Sequence, residues 1–251
     1  MIVRSLFFLC AFALTGLAQK QPLPQAAPLD LAQAEKEGRA LVAEILAQKP
    51  AENFTNSGVM KIRDAKGKRS EIPVKFEIIV APTNWQGTYQ TVMTNMPGVK
   101  LTIIHAGAIP DQYRLAKHSD QPESQDVPIT ADLTSPFAGS DFWIADLGLE
   151  FFHWPTQRLL KTEMIRSRSC RVLESINPHP APGAYSRVKS WIDIESNGIL
   201  HAEAYDSKNK ILKDFDPNVK KVNGQWQLSE MEMINRQTGS RTKIEFNLDA
   251  K

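Results

Sequence analysis

His201, Glu203 and Tyr205 occupy alternate positions of one short stretch, with Asp206 directly behind them. Side chains two residues apart share one face of a strand, so an imidazole, a carboxylate and a phenol would project together, as a metal site requires. Tyrosine is not among the usual zinc ligands, and the interleaved Leu200, Ala202 and Ala204 are plainly apolar. The stretch therefore reads as a half-buried strand whose wet face carries the polar groups, and no metal is expected there. Asp141, Asp146, Glu150 and His153 make a second cluster of titratable groups, which helix capping and solvent-facing charge explain. Acyl transfer would need a nucleophile beside a base, but G-x-S-x-G does not occur and the five histidines are scattered. A Gly-rich phosphate loop and a close cysteine pair are also missing. The residues predict neither catalytic centre nor cofactor, hence a protein that is not an enzyme. Asn53-Phe54-Thr55 spells a glycosylation sequon, but its position at a strand start suggests a structural role.

The elements that would hold these groups are mostly strands. Four turns, at Asn197-Gly198, Ser207-Lys208-Asn209, Asn223-Gly224 and Thr238-Gly239, divide residues 185–248 into an antiparallel meander. Thr242, Ile244, Phe246 and Leu248 alternate with Arg241, Lys243, Glu245 and Asn247, which gives one buried and one wet face. Alternation also marks 59–63, then Val74 to Val80 after a turn at 64–67, and continues through Trp85, Tyr89 and Met93. Shorter strands are expected at 101–104 and 113–116, and two more at 158–165 and 168–176. Residues 118–139 are poor in apolar side chains and read as a long, mobile loop.

Two segments have helical spacing. Asp30 offers an N-cap, and Leu31, Leu41, Val42, Ile45 and Leu46 recur on one stripe as far as Lys49-Pro50. Over 141–154, Trp143, Leu147, Phe151 and Trp154 form one stripe of a single helix that Pro155 ends. Phe142, Ile144, Leu149 and Phe152 widen its apolar arc, so this helix must be covered on more than one side.

The N-terminus carries an address. Arg4 precedes an apolar run from Leu6 to Leu14, and Gly16-Leu17-Ala18 supplies small residues for cleavage. Residues 1–18 are read as a secretory signal peptide, 19–29 as a disordered leader and 30–251 as a single domain. Cys10 follows the bulky Phe8 and Leu9 rather than a small residue, so the processed chain should carry no lipid anchor and span no membrane. Losing Arg4 leaves 29 basic against 28 acidic side chains, a balance that points to no nucleic acid. Cys170 then stands without a disulfide partner and reads as a small buried hydrophobe beside Val172. Arg166, Arg168 and Arg171, with Lys61, Arg63, Lys66, Lys68 and Arg69, are read as solvated strand edges in preference to a lipid-headgroup surface.

Ser140-Asp141-Phe142, Asp146-Leu147, Trp154-Pro155, Cys170-Arg171-Val172-Leu173-Glu174, Tyr185-Ser186-Arg187-Val188, Trp191-Ile192-Asp193, Gly224-Gln225-Trp226 and Thr238-Gly239-Ser240-Arg241-Thr242 resemble the bacterial LolA-like family, in its branch of outer-membrane lipoprotein-sorting proteins. The likeness spans 30–248 loosely and 140–246 closely. It implies an α+β fold, a large curved antiparallel sheet forming an unclosed half-barrel with helices over its concave face. It further implies a soluble periplasmic carrier holding lipid or lipoprotein acyl chains in an apolar cavity, with membrane-bound donor and acceptor proteins as partners. The alternatives are a periplasmic lipid-sensing regulator of the same fold and a secreted hydrolase. On the carrier expectation, Trp143, Leu147, Phe151, Trp154 and Phe142, with Leu41 and Ile45 of the first helix, are the cavity and lid residues.

Overall fold

The computed structural model describes residues 30–92, 98–118, 127–129, 132–222 and 225–248. The expected signal peptide and leader, Met93, and the turn at Asn223-Gly224 lie outside them. Helix α1 spans Leu31–Leu46, and Asp30 caps it by accepting a 2.9 Å hydrogen bond from the Gln33 amide. Among the described residues thirteen strands follow in one antiparallel sheet: β1 Phe54–Arg63, β2 Arg69–Val80, β3 Trp85–Thr91, β4 Gly98–Ala106, β5 Ile109–His118, β6 Val127–Ile129, β7 Thr156–Ile165, β8 Arg168–Ile176, β9 Arg187–Asp193, β10 Ile199–Tyr205, β11 Ile211–Val222, β12 Gln225–Asn235 and β13 Arg241–Phe246.

Two meanders are joined in the middle. The first runs outward from β1 to β6 and the second from β13 to β7, and β1 pairs with β13. β6 and β7 are the two ends of this order, so the half-barrel stays unclosed. The period-2 pattern sets the register. Met60, Ile244 and Met231 are directly opposite one another on β1, β13 and β12, all buried, so one face of three strands forms a continuous apolar row. Cys170 is fully buried, as its strand pattern requires.

The turn chemistry differs in detail from the expectation. Asn197 takes a left-handed φ of 55°, but Gly198 is not at positive φ, so this connection is not a two-residue type I′ turn. Its Asp193 and Gly198 ends are joined by backbone hydrogen bonds around a longer loop. The two-residue turn with both residues at positive φ is instead Arg166-Ser167, at 49° and 62°. Residues 118–139 are not wholly loop either. β6 pairs with β5 there, and Phe137, only 1 % exposed, sits deep in the core.

The segment 141–154 is not one helix. Pro136 bridges Trp143, a short helix α2 spans Ile144–Gly148, Leu149 turns left-handed (φ 54°, ψ 42°), and a 3-10 turn covers Glu150–His153. The break sends successive apolar side chains in different directions. Phe142, Ile144 and Leu147 enter the cluster built on β1, β2, β4, β12 and β13. Phe151 and Phe152 enter a second cluster with Leu41, Val42 and strands β8 to β10. The expected stripe of Trp143, Leu147, Phe151 and Trp154 assumed a constant 3.6-residue period, which a left-handed residue destroys. The segment is a strap laid across the sheet.

Candidate ligand cavity

Several anchors hold the strap; at its start Thr242 donates to Asp141 Oδ2 at 2.8 Å. At its centre, Asp146 Oδ2 accepts from the Trp143 amide (2.8 Å), the Tyr185 hydroxyl (3.2 Å) and Lys213 Nζ (3.1 Å). Lys213, buried on β11, also donates to the Asp141 carbonyl at 2.6 Å and lies 3.8 Å from the centre of the Trp143 ring, which stacks on Tyr185. Burial lowers the Lys213 pKa against the opposing pull of Asp146, and burial raises that of Tyr185 well above its usual value. At the far end Gln157 donates to the carbonyls of Phe151 and Trp154, both at 2.9 Å, and is itself fixed by Ser175 at 2.7 Å. Backbone carbonyls left free by the broken helix are thus satisfied from β7.

Helix α1 closes the side near β7. Gly38 lets it approach so closely that a Cβ there would lie 2.5 Å from the Gln157 carbonyl oxygen. Glu35 pairs with Arg158 at 3.1 Å. The C-terminal end of α1 then brings Ile45 and Leu46 beside the strap.

Between strap, α1 and sheet lies a cavity of about 380 Å³, within the ordinary size range of ligand pockets. Phe76, Trp85, Tyr89 and Ile103 of β2 to β4 wall one side, Ile45, Leu46, Leu149, Phe152 and Ile199 another, and Phe142 and Leu147 face it from the strap. Gly87 widens it, since a side chain there would meet Phe76 and Trp85 at 3.7–3.8 Å. Val219 and Leu228, 40 % and 37 % exposed, reach its edge from β11 and β12.

Of the seven residues singled out from sequence, Phe142, Leu147 and Ile45 line this cavity. Leu41 and Phe151 are buried in the second cluster, Trp143 covers Lys213, and Trp154 packs edge-on to Phe151. Sequence reasoning did not find Phe76, Trp85, Tyr89 or Ile103 as cavity residues, because nothing in a strand pattern separates an apolar side chain against core from one against empty space. It explained Asp146 by helix capping and solvent-facing charge; Asp146 does cap α2 at the Trp143 amide, but only 7 % of its side chain is exposed.

A polar corner interrupts the apolar wall where β4 and β5 meet. The Asp111 side chain, 2 % exposed, has Oδ2 2.9 Å from His105 Nδ1 and Oδ1 3.4 Å from His153 Nε2. Nearby, Tyr113 donates to Glu150 at 2.9 Å, and burial keeps the Glu150 pKa above its usual value. Burial raises the Asp111 pKa, but the two imidazoles outweigh it and hold the carboxyl below its ordinary range. The set read as a wet face is half-buried, and its Tyr205 is buried: His201 contacts Asp216 at 3.0 Å and Trp191 by ring contact, and no group of three or more His, Cys, Asp or Glu among the described residues is placed to hold a metal ion. The basic residues of the β7–β8 turn are paired, Arg166 with Asp216 and Arg168 with Asp193, both at 2.6 Å.

An unclosed antiparallel half-barrel with an apolar cavity under a strap defines a LolA-like fold. A family model described as "-like: Uncharacterized protein" matches residues 122–248, half of the chain, and the chain belongs to that family. Solved structures agree on the fold. A DUF1329 family protein from Desulfovibrio piger is similar with a TM-score of 0.66 at 20 % identity, over 86 % of this chain and 92 % of that one. An outer membrane lipoprotein-sorting protein domain from Vibrio parahaemolyticus gives 0.68 at 20 %, over 85 % and 91 %. A LolA superfamily protein from Nitrosomonas europaea gives 0.55 at 16 %, again over 85 % and 91 %. None of the curated proteins matches the sequence. No helix among the described residues is long and apolar enough to cross a membrane.

Proposed function

We propose that the protein is a periplasmic carrier of lipid acyl chains, with the chains of lipoproteins as its cargo, and that it works without catalysis. The observation that supports this most is the 380 Å³ cavity walled by Phe76, Trp85, Ile103, Leu147 and Ile45, between the sheet and the strap. Burying an acyl chain gains about 0.8 kcal/mol per methylene, so about a dozen methylenes supply roughly 10 kcal/mol from apolar walls alone. Such a gain opposes release. A carrier therefore needs an empty form that packs against itself, and the strap, with α1, supplies the competing contacts. The N-terminal apolar run and small residues before Gln19 support export to the periplasm.

Native mass spectrometry of the protein recovered from its own periplasm tests the proposal. The expected spectrum shows a chain beginning at Gln19 with a bound species that organic solvent removes and that carries fatty acyl groups. Recovery of protein with no acyl-bearing species, together with failure of the pure protein to bind an apolar fluorophore, would rule out the carrier role.

A further inference from the structure

Asp111 stands apart from the other buried acids of the cavity. Asp146, which also faces it, has an oxygen that accepts from three donors. At Asp111 both carboxylate oxygens are buried and complete no well-formed hydrogen bond, and their close polar neighbours are two imidazoles, His105 Nδ1 at 2.9 Å and His153 Nε2 at 3.4 Å. An ionised carboxylate accepts about four hydrogen bonds. Here two imidazole nitrogens at most occupy that capacity, and the side chain lines the cavity together with His105 and the indole of Trp85, which stacks on His105 with ring centres 3.9 Å apart. Among the described residues, no Lys or Arg lines the cavity, and Lys213 nearby is committed to Asp146 and the Asp141 carbonyl.

We propose that Asp111 is a head-group subsite within the cavity, and that it takes the protonated primary amine of a long-chain amphiphile. The proposal rests on the reading of the cavity as an acyl-chain site. An ammonium carries three donors and no acceptor, the complement of a carboxylate whose acceptor positions are open. Trp85 lines the same cavity, and its indole can cover the first methylenes and attract the cation. A carboxylate or phosphate head would meet a negative group with no Arg or Lys on the wall to neutralise it. A hydroxyl would satisfy Asp111 through a neutral donor, whose hydrogen bond is about half as strong as a charge-assisted one. His105, which lines the cavity beside Asp111, is a cation-capable ring that competes with the ligand for the carboxylate.

Displacement of diphenylhexatriene, an uncharged apolar fluorophore, separates this subsite from the cavity itself. Dodecylamine, dodecanol and dodecanoate compete for the probe below their micelle-forming concentrations, at neutral pH. The amine should displace it at a concentration about tenfold lower than dodecanoate, equivalent to about 1.4 kcal/mol, with dodecanol between. Asp111→Asn should bring amine and carboxylate to within about twofold of each other while dodecanol competes as before. His105→Gln, which removes one competing ring and leaves the carboxylate, should widen the amine preference, and it decides the matter if Asp111→Asn does not fold. Equal competition by amine and dodecanoate in the native protein, or a preference that survives Asp111→Asn or fails to widen in His105→Gln, overturns the subsite. In those cases the probe still binds and the cavity stands. A native protein that binds no diphenylhexatriene overturns the cavity and the subsite together.

Discussion

Lys213 Nζ and Asp146 Oδ2 stand 3.1 Å apart with only 4 % and 7 % of their side chains exposed, and this pair ties β11 to α2 across sixty-odd residues of chain. Removing one partner of a buried pair leaves the other charge unpaired and is costly, whereas removing both is much less so. Lys213→Met should therefore lower unfolding free energy by about 3–5 kcal/mol. Adding Asp146→Asn should recover part of that loss, as measured by urea denaturation of the two single variants and the double. Additive losses would show that the two charges are not coupled.

The strap residues divide into core and cavity. Phe151 is 7 % exposed in the second cluster and does not line the cavity, so Phe151→Ala should cost about 3–5 kcal/mol and leave probe affinity in the folded fraction unchanged. Leu147 faces open volume, so Leu147→Trp should fill it, cost less than about 3 kcal/mol, and lower diphenylhexatriene affinity severely. Parallel unfolding and binding titrations check both.

Gly38→Ala would strengthen α1 by about 1 kcal/mol if propensity alone decided. The added Cβ instead meets the Gln157 backbone at 2.5 Å, so the helix has to lift from β7. Stability should fall by about 1–3 kcal/mol, the range for overpacking, visible as a lower thermal midpoint.

Two histidines set the alkaline side of the stability profile. Asp111 raises the folded-state pKa of His153, and at His201 the attraction of Asp216 overcomes the lowering by burial. A raised folded pKa means that the native state binds more protons than the unfolded one. The contribution is complete below the unfolded value of about 6.5 and is lost as pH rises through the folded values. Asp111 and Asp216 have lowered values, so their contribution is present above about 3.9 and is lost as pH falls through the folded values. Urea midpoints should decline from mildly acidic towards mildly alkaline pH, and His153→Gln with His201→Gln should flatten that decline.

Burial also pushes the Cys170 thiol up. A thiol reagent should label it only at the rate of global unfolding, and fast labelling of the native protein would show that β8 opens locally.

The sequence by itself determined the sheet. Alternation in Thr242, Ile244 and Phe246 fixes which side is buried, because a one-residue slip would expose all three, and Asp30 fixes the start of α1 by its capping chemistry. Those are signals within one turn or one strand. The pairing of β1 with β13, which makes two meanders into one half-barrel, joins ends of the chain that carry no mark of each other. The same holds for the sites. Asp146 with Tyr185 and Lys213, Asp111 with His105 and His153, and Tyr113 with Glu150 each gather residues from separate elements, so no spacing announces them. The strap shows the limit most plainly. Its composition is that of a wide amphipathic helix, yet Leu149 turns left-handed and Gly148 lies against the Tyr113 hydroxyl with no room for a Cβ. Two separate apolar clusters then each claim half of its side chains. A single helix could bury one stripe, and tertiary packing outweighs local propensity because breaking the helix buries both halves.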